Sequence, residues 1–279
     1  MVKKLSKETK LTLKNYKENP DKEWKRLVKD DFHKLELNRT MDAIEGYIPS
    51  KGHILDAGWW PGRYSVLLAK KWYDITLTDL VPEHIALAKK VIKEHKVQHK
   101  MKNILEWSIT DLSQFKNNTF DAVLCLWWPL SHIQPASERQ KAIKELIRVA
   151  KKWSYIFVSV MSKYACLLAG IDGRPEELED KKQLIKLIKT GDDYRWRGDG
   201  FCHFFTGEEL ANVFKKEKVI IQKIIGLEWL NIGSRLTNIF AKKSPKARKV
   251  RKEIHNETLN TDPFVVNSSS HILIILKKK

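Results

Sequence analysis

Between His53 and Met161 the sequence alternates short aliphatic runs with longer amphipathic stretches. His53–Ala57, Tyr73–Thr78, Asn103–Trp107, Phe120–Leu126 and Ser154–Met161 read as strands. Gly62–Lys71, Pro82–His95 and Ala136–Lys151 read as helices, and Pro82 suits the first turn of its helix because the missing N–H has no partner there. This alternation predicts right-handed crossovers and a parallel sheet covered by helices on both faces. Residues 1–50 read as charged helices with apolar residues at helical spacing, stopped by Pro49 and Ser50. Residues 162–205 break the rhythm: a charged helix over Glu176–Lys189 precedes a stretch with no clean period. A helix over Glu208–Lys216 capped by Thr206, a strand over Val219–Ile225 and a last strand over His271–Leu276 complete the pattern.

Composition narrows the setting. Hydrophobic residues make up 42% of the chain, enough for a sizeable core. No run of 18 apolar residues occurs, so no membrane span is expected. The basic start is not followed by an apolar stretch, so no secretory signal is expected. The three cysteines, Cys125, Cys166 and Cys202, form no C-x-x-C pair. That argues against a disulfide framework or a metal site, and for a cytoplasmic protein. The net charge of +18 is spread along the chain, as on a solvated lysine-rich surface. Its densest cluster, Lys242–Lys252, is a candidate phosphate-contacting patch and makes RNA the alternative partner.

The most informative stretch follows the first strand. Ligands of open α/β sheets bind beyond the carboxyl ends of the strands, where the strand order reverses. The turn expected there reads Gly58-Trp59-Trp60-Pro61-Gly62, with Asp56 two residues before Gly58 and Asp79 21 residues after it. An acid at that distance is placed to hold ribose hydroxyls. The glycines do not follow the G-x-G-x-x-G of dinucleotide sites. Asp56-x-Gly58-x-x-x-Gly62 resembles motif I of the class I S-adenosylmethionine-dependent methyltransferases, whose usual form is D-x-G-x-G-x-G. The resemblance extends through Y-D-I-T-L-T-D-L-V-P-E-H-I-A-L-A-K-K and F-D-A-V-L-C-L, covers residues 50–160 well and the remainder loosely.

The resemblance implies a Rossmann-like α/β fold: a doubly wound, mostly parallel seven-stranded sheet with an antiparallel C-terminal strand, plus an N-terminal helical extension. The expected units are a helical cap over 1–50, a cofactor-binding core over 51–161, an insertion or lid over 162–205 and a C-terminal part over 206–279 that completes the sheet. It also implies S-adenosylmethionine as cofactor. Asp56, Gly58 and position 60 would lie beside its methionine part, with Gly62 opening the next helix. Asp79 would hold the ribose, Leu80 would pack on the adenine, and Ser108 and Ile109 would edge its other side. Leu126, Trp127 and Trp128 would border the methyl group, and Trp24 and Arg26 would cover the cofactor. His132 is the candidate general base, since histidine titrates near neutrality; His203 has a weaker claim. Asp111 and Asp121 read as turn residues, and Phe201, Phe204 and Phe205 as core or pocket wall. The fourth-strand motif lacks an N-P-P-Y type signature, so a small-molecule acceptor is expected before RNA. Oligomeric state is not encoded in any feature of the sequence.

The chain departs from the family at tryptophan. Relatives carry glycine at position 60 and commonly a small residue at 59, yet Trp59 and Trp60 stand here. Trp72, Trp107, Trp127, Trp128 and Trp153 also fall where turn residues are expected, and the chain has ten tryptophans in all. The pattern reads as glycine replaced by tryptophan, and it predicts a weakened or blocked cofactor pocket. A blocked pocket would leave a binding protein without catalysis on the same scaffold.

Overall fold

The computed structural model describes residues 28–58, 62–173, 179–196, 200–228 and 261–279, together with Lys10, Lys14, Lys17, Lys25, Arg26, Ser244 and Lys246. In chain order the elements are α1 (Asp31–Glu45), β1 (His53–Ala57), α2 (Arg63–Lys70), β2 (Asp74–Asp79), α3 (Pro82–Glu94), β3 (Met101–Glu106), β4 (Phe120–Cys125), α4 (Ala136–Val149) and β5 (Ala150–Met161). Then follow α5 (Lys163–Gly173), α6 (Lys181–Thr190), β6 (Asp192–Trp196), β7 (Gly200–His203), α7 (Gly207–Lys215), β8 (Val219–Gly226), α8 (Pro263–Ser268) and β9 (His271–Lys278).

Seven strands form one sheet in the order β3-β2-β1-β4-β5-β9-β8. The pairs from β3 to β5 are parallel, and β9 runs antiparallel to both β5 and β8. The expected Rossmann-like sheet with an antiparallel C-terminal strand is therefore present. The chain leaves β1 for β2 and returns from β3 to β4, so the order reverses between β1 and β4.

Alternation along the strands divides the core into two layers. Ile54, Ile75, Leu77, Ala122 and Leu124 pack with Ile44 of α1, Leu68 of α2 and Ala88 of α3. Leu55, Ala57, Val123 and Val158 face the other way, onto Ile143 and Leu146 of α4, Phe214 of α7 and Val266 of α8. The inner strands β1, β4 and β9 are buried on both faces, so they read as continuous apolar runs rather than alternating ones.

Local signals place most element ends. Asp30 Oδ1 accepts from His33 N at 3.0 Å and caps α1. Thr206 Oγ1 accepts from Glu209 N at 3.1 Å, as its position predicts. Three elements escaped the sequence pattern: α5, α8 and the β6–β7 hairpin, which forms a separate two-stranded sheet. β5 begins at Ala150 rather than Ser154 because its pairing with β4 slips one irregularity past Phe120.

Candidate active site

β1 and β2 run side by side in register, Asp56 opposite Leu77 and Ala57 opposite Thr78, so their carboxyl ends deliver Asp56 and Asp79 to one edge. Gly58 turns the chain there with φ +85, and its N–H donates to Thr78 O at 2.9 Å. A Cβ at Gly58 would stand 2.4 Å from Pro129 Cγ, so only glycine fits both the backbone and the space. Gly62, at φ 71, precedes α2 and gives it no side-chain cap, which leaves the amides of the first turn to other partners.

The two acids are built differently. Asp56 is buried, and Ser65 Oγ donates to its Oδ2 at 2.6 Å. Burial pushes the Asp56 carboxyl up to about 7; the Ser65 hydrogen bond opposes the rise and neighbouring Asp79 adds to it. Asp79 Oδ1 accepts from Val81 N at 2.7 Å and faces His84 Nδ1 at 3.0 Å, which steers Oδ2 away from both. Leu80 is half-buried beside it. Trp107 N donates to Asp79 O at 2.8 Å, which brings Ser108 and buried Ile109 alongside. Leu126 is buried at the end of β4. The edge thus gathers Asp56, Gly58, Asp79, Leu80, Ser108, Ile109 and Leu126. Trp24, Trp59, Trp60 and Pro61 lie outside the described residues, as does Lys242–Lys252 apart from Ser244 and Lys246.

The loop after β4 carries Trp127 and Trp128 in left-handed conformation, φ 70 and 67. Their rings lie 5.7 Å apart, and the Arg26 guanidinium sits 4.6 Å above one and 5.2 Å above the other. Trp128 stacks on His271 at 4.2 Å with an interplanar angle of 12°. Both indole Nε1 atoms are buried without a hydrogen-bond partner. Behind the rings, Glu36 of α1, Glu228 after β8 and His271 at the start of β9 bring ligand-type atoms within 4.8 Å of one another. His271 Nδ1 is hydrogen-bonded to Glu228 Oε1, and its backbone N donates to Glu228 Oε2 at 3.0 Å. Arg26 Nη2 donates to Glu36 Oε2 at 2.9 Å. Burial pushes the Glu228 carboxyl up to about 8 and raises Glu36 as well, against the pull of Arg26 on both. Sequence reasoning missed this cluster because its members lie on three separate elements.

The histidines divide. His132 ends a short 3₁₀ turn after β4, and its Nδ1–H donates to Phe201 O at 2.9 Å. His203 is buried and clamped, Nδ1 to Asp192 at 2.7 Å and Nε2 to Glu209 at 2.9 Å, so both of its nitrogens are committed to structure. Of the six non-glycine residues with positive φ among those described, four are tryptophans: Trp72, Trp127, Trp128 and Trp153. Trp107, expected in that set, is not among them, and its indole N–H instead donates to Asp111 O.

Residues 54–152 match the family described as "Methyltransferase domain". The matched stretch runs from β1 into β5, the region in which the sequence resembles the class I, S-adenosylmethionine-dependent methyltransferases. A putative methyltransferase of Bacillus subtilis (strain 168), YqeM, is 26% identical over 219 residues, covering 75% of this chain and 85% of that protein. A methyltransferase structure from Methanosarcina mazei superposes with a TM-score of 0.56 at 21% identity, covering 85% of this chain and 96% of that one. The 1,6-didemethyltoxoflavin-N1-methyltransferase of Burkholderia thailandensis, solved with bound 1,6-didemethyltoxoflavin and S-adenosylhomocysteine, superposes with a TM-score of 0.56 at 12% identity, covering 100% of this chain and 93% of that one.

Proposed function

We propose that this methyltransferase acts on a small molecule, and that Asp56, Gly58, Gly62, Asp79, Leu80, Ser108, Ile109 and Leu126 hold its S-adenosylmethionine. The observation that carries the reading is the pairing of the Gly58 turn with Asp79 on the adjoining strand end. The Pro129 ring closes Gly58 to any side chain and its φ of +85 turns the chain sharply at the strand end, as a cofactor turn requires. Asp79 Oδ2 is oriented by the two bonds that fix Oδ1, and it suits a ribose diol. The bound cofactor supplies a sulfonium-activated methyl group. The chain's own work is then alignment of the acceptor's lone pair and custody of the proton that the acceptor loses. Trp59 and Trp60, in a turn where relatives have glycine or small residues, weaken cofactor binding.

Calorimetric titration with S-adenosylhomocysteine tests the reading, on the chain as it stands, on Trp59→Gly/Trp60→Gly and on Asp79→Ala. Binding that appears or tightens with glycine and is lost with Asp79→Ala supports it. Heats unchanged by Asp79→Ala would refute the cofactor assignment.

A further inference from the structure

The cluster behind Trp127 and Trp128 is costly to build. Glu36, Glu228 and His271 are 2%, 1% and 6% exposed, and buried charges must be compensated by partners. Arg26 compensates Glu36, and His271 compensates Glu228. The cluster lies on the ligand-binding edge, because β9 pairs antiparallel to β5 with His271 opposite Met161, the last residue of β5. It also adjoins the cofactor turn, since Pro129, next to Trp128, is the residue that Gly58 abuts. Arg26 on Glu36 repels a cation, which disfavours a metal among these three groups.

Two indoles fill the space between this cluster and the turn. Their backbone is the left-handed one that favours glycine, and their buried N–H groups go unpaired. With glycine at both positions the rings vanish and leave a slot bordered by the His271 imidazole and the Arg26 guanidinium. The stacking seen for Trp128 shows what such a slot accepts: a flat ring, parallel to the imidazole.

We propose that this slot is the acceptor site, that it takes a planar aromatic or heteroaromatic molecule carrying an ionisable O–H or N–H, and that the Glu228–His271 pair receives the acceptor's proton. The proposal rests on the methyltransferase reading. In the reaction the acceptor's lone pair forms the bond to the methyl carbon, the carbon–sulfur bond breaks with its electrons going to sulfur, and the acceptor's proton passes to Glu228 or His271.

The probe is 4-nitrophenol, a flat phenol whose ionisation is visible by absorbance. Cavities left by deleted core side chains, roughly 150 Å³, bind small arenes. The Trp127→Gly/Trp128→Gly variant is expected to bind 4-nitrophenol where the parent does not, and to show its phenolate band at a lower pH than free probe. Adding Glu228→Gln should keep binding and abolish that shift. No binding by a variant that circular dichroism shows folded overturns the slot; an unchanged shift in Glu228→Gln overturns the proton role. Should the double glycine variant fail to fold, Trp128→Ala alone opens the stacked half of the slot and is read the same way. S-adenosylhomocysteine binding to a variant that also carries Trp59→Gly/Trp60→Gly separates the two readings: cofactor without probe refutes the slot, and probe without cofactor refutes the methyltransferase assignment.

A second inference rests on residues far from this site. Trp72 follows α2 in a Schellman turn, with Tyr73 N–H reaching Leu68 O at 3.2 Å and Trp72 N–H reaching Ala69 O at 3.0 Å. It holds φ 72, the C′ position that glycine dominates, and it is 72% exposed. Trp153 holds φ 65 and is 60% exposed. Burial explains neither indole, and cofactor chemistry reaches neither turn. We infer that the protein made in its source cell carries glycine at 72, 127, 128 and 153, a tryptophan triplet being decoded there as glycine. Peptide mass spectrometry on the protein isolated from those cells decides it. Glycine masses at these positions are expected; tryptophan at Trp72 or Trp153 would overturn the inference.

Discussion

Gly58 and Pro129 touch so closely that a methyl group on Gly58 would stand 2.4 Å from the proline ring. The contact joins the turn after β1 to the loop after β4, the two segments that flank the reversal of strand order. Gly58→Ala must both strain a backbone at φ +85 and displace that loop. The expected cost is about 2 kcal/mol of stability. Urea unfolding followed by circular dichroism measures it, and S-adenosylhomocysteine binding should fall in the same variant.

Asp56 makes stability depend on pH with a definite sign. Its carboxyl is pushed up to about 7 in the folded chain, whereas a free aspartate titrates near ~3.9. Between those values the folded state holds a proton that the unfolded state lacks, so stability declines as pH rises through the window and levels off above it. Asp56→Asn removes this slope. Urea midpoints at pH 5 and pH 8 should therefore lie closer together in Asp56→Asn than in the parent; equal spacing would refute the assignment.

Trp72→Gly is expected to stabilise the chain. The residue pays for a left-handed backbone, and its compensation is a surface contact with Lys100 and His99. Relief of the backbone strain is worth about 1 kcal/mol, and a surface cation–π contact returns at most about 0.5–1 kcal/mol. A higher urea midpoint in Trp72→Gly checks the balance; a lower one would show that the ring contacts dominate.

The sheet was legible because β1, β2, β4 and the second half of β5 are buried on both faces and separated by helices with clear starts, such as Pro82. The paired acids were legible from spacing alone, since Asp56, Gly58 and Asp79 come from two adjacent strand ends. The cluster of Glu36, Glu228 and His271 was not, because a single glutamate on a charged helix looks like surface until β9 folds back beside β5. The β6–β7 hairpin was missed for a similar reason: its polar strand Asp192–Trp196 carries no alternation, and its order depends on Gln183, which donates to Asp193 at 3.1 Å, and on His203.

His132 and His203 should respond differently to truncation. His203 bridges Asp192 and Glu209 across the hairpin and α7. Burial raises both carboxyls, but their bonds to His203 and its charge, together with Arg139 and Lys186 near Asp192 and Lys163 near Glu209, jointly hold them below their ordinary range. Depressed acids contribute stability above their unfolded values and lose it as pH falls through the folded ones. His203→Ala should therefore cost about 2 kcal/mol near neutrality and flatten the acid limb of the stability profile below about pH 4. His132 donates to the backbone carbonyl of Phe201, so His132→Ala should cost about 1 kcal/mol and leave the acid limb unchanged. Urea unfolding from pH 3 to pH 8 on both variants measures the contrast; an acid limb that flattens in His132→Ala instead would assign the clamp to the wrong histidine.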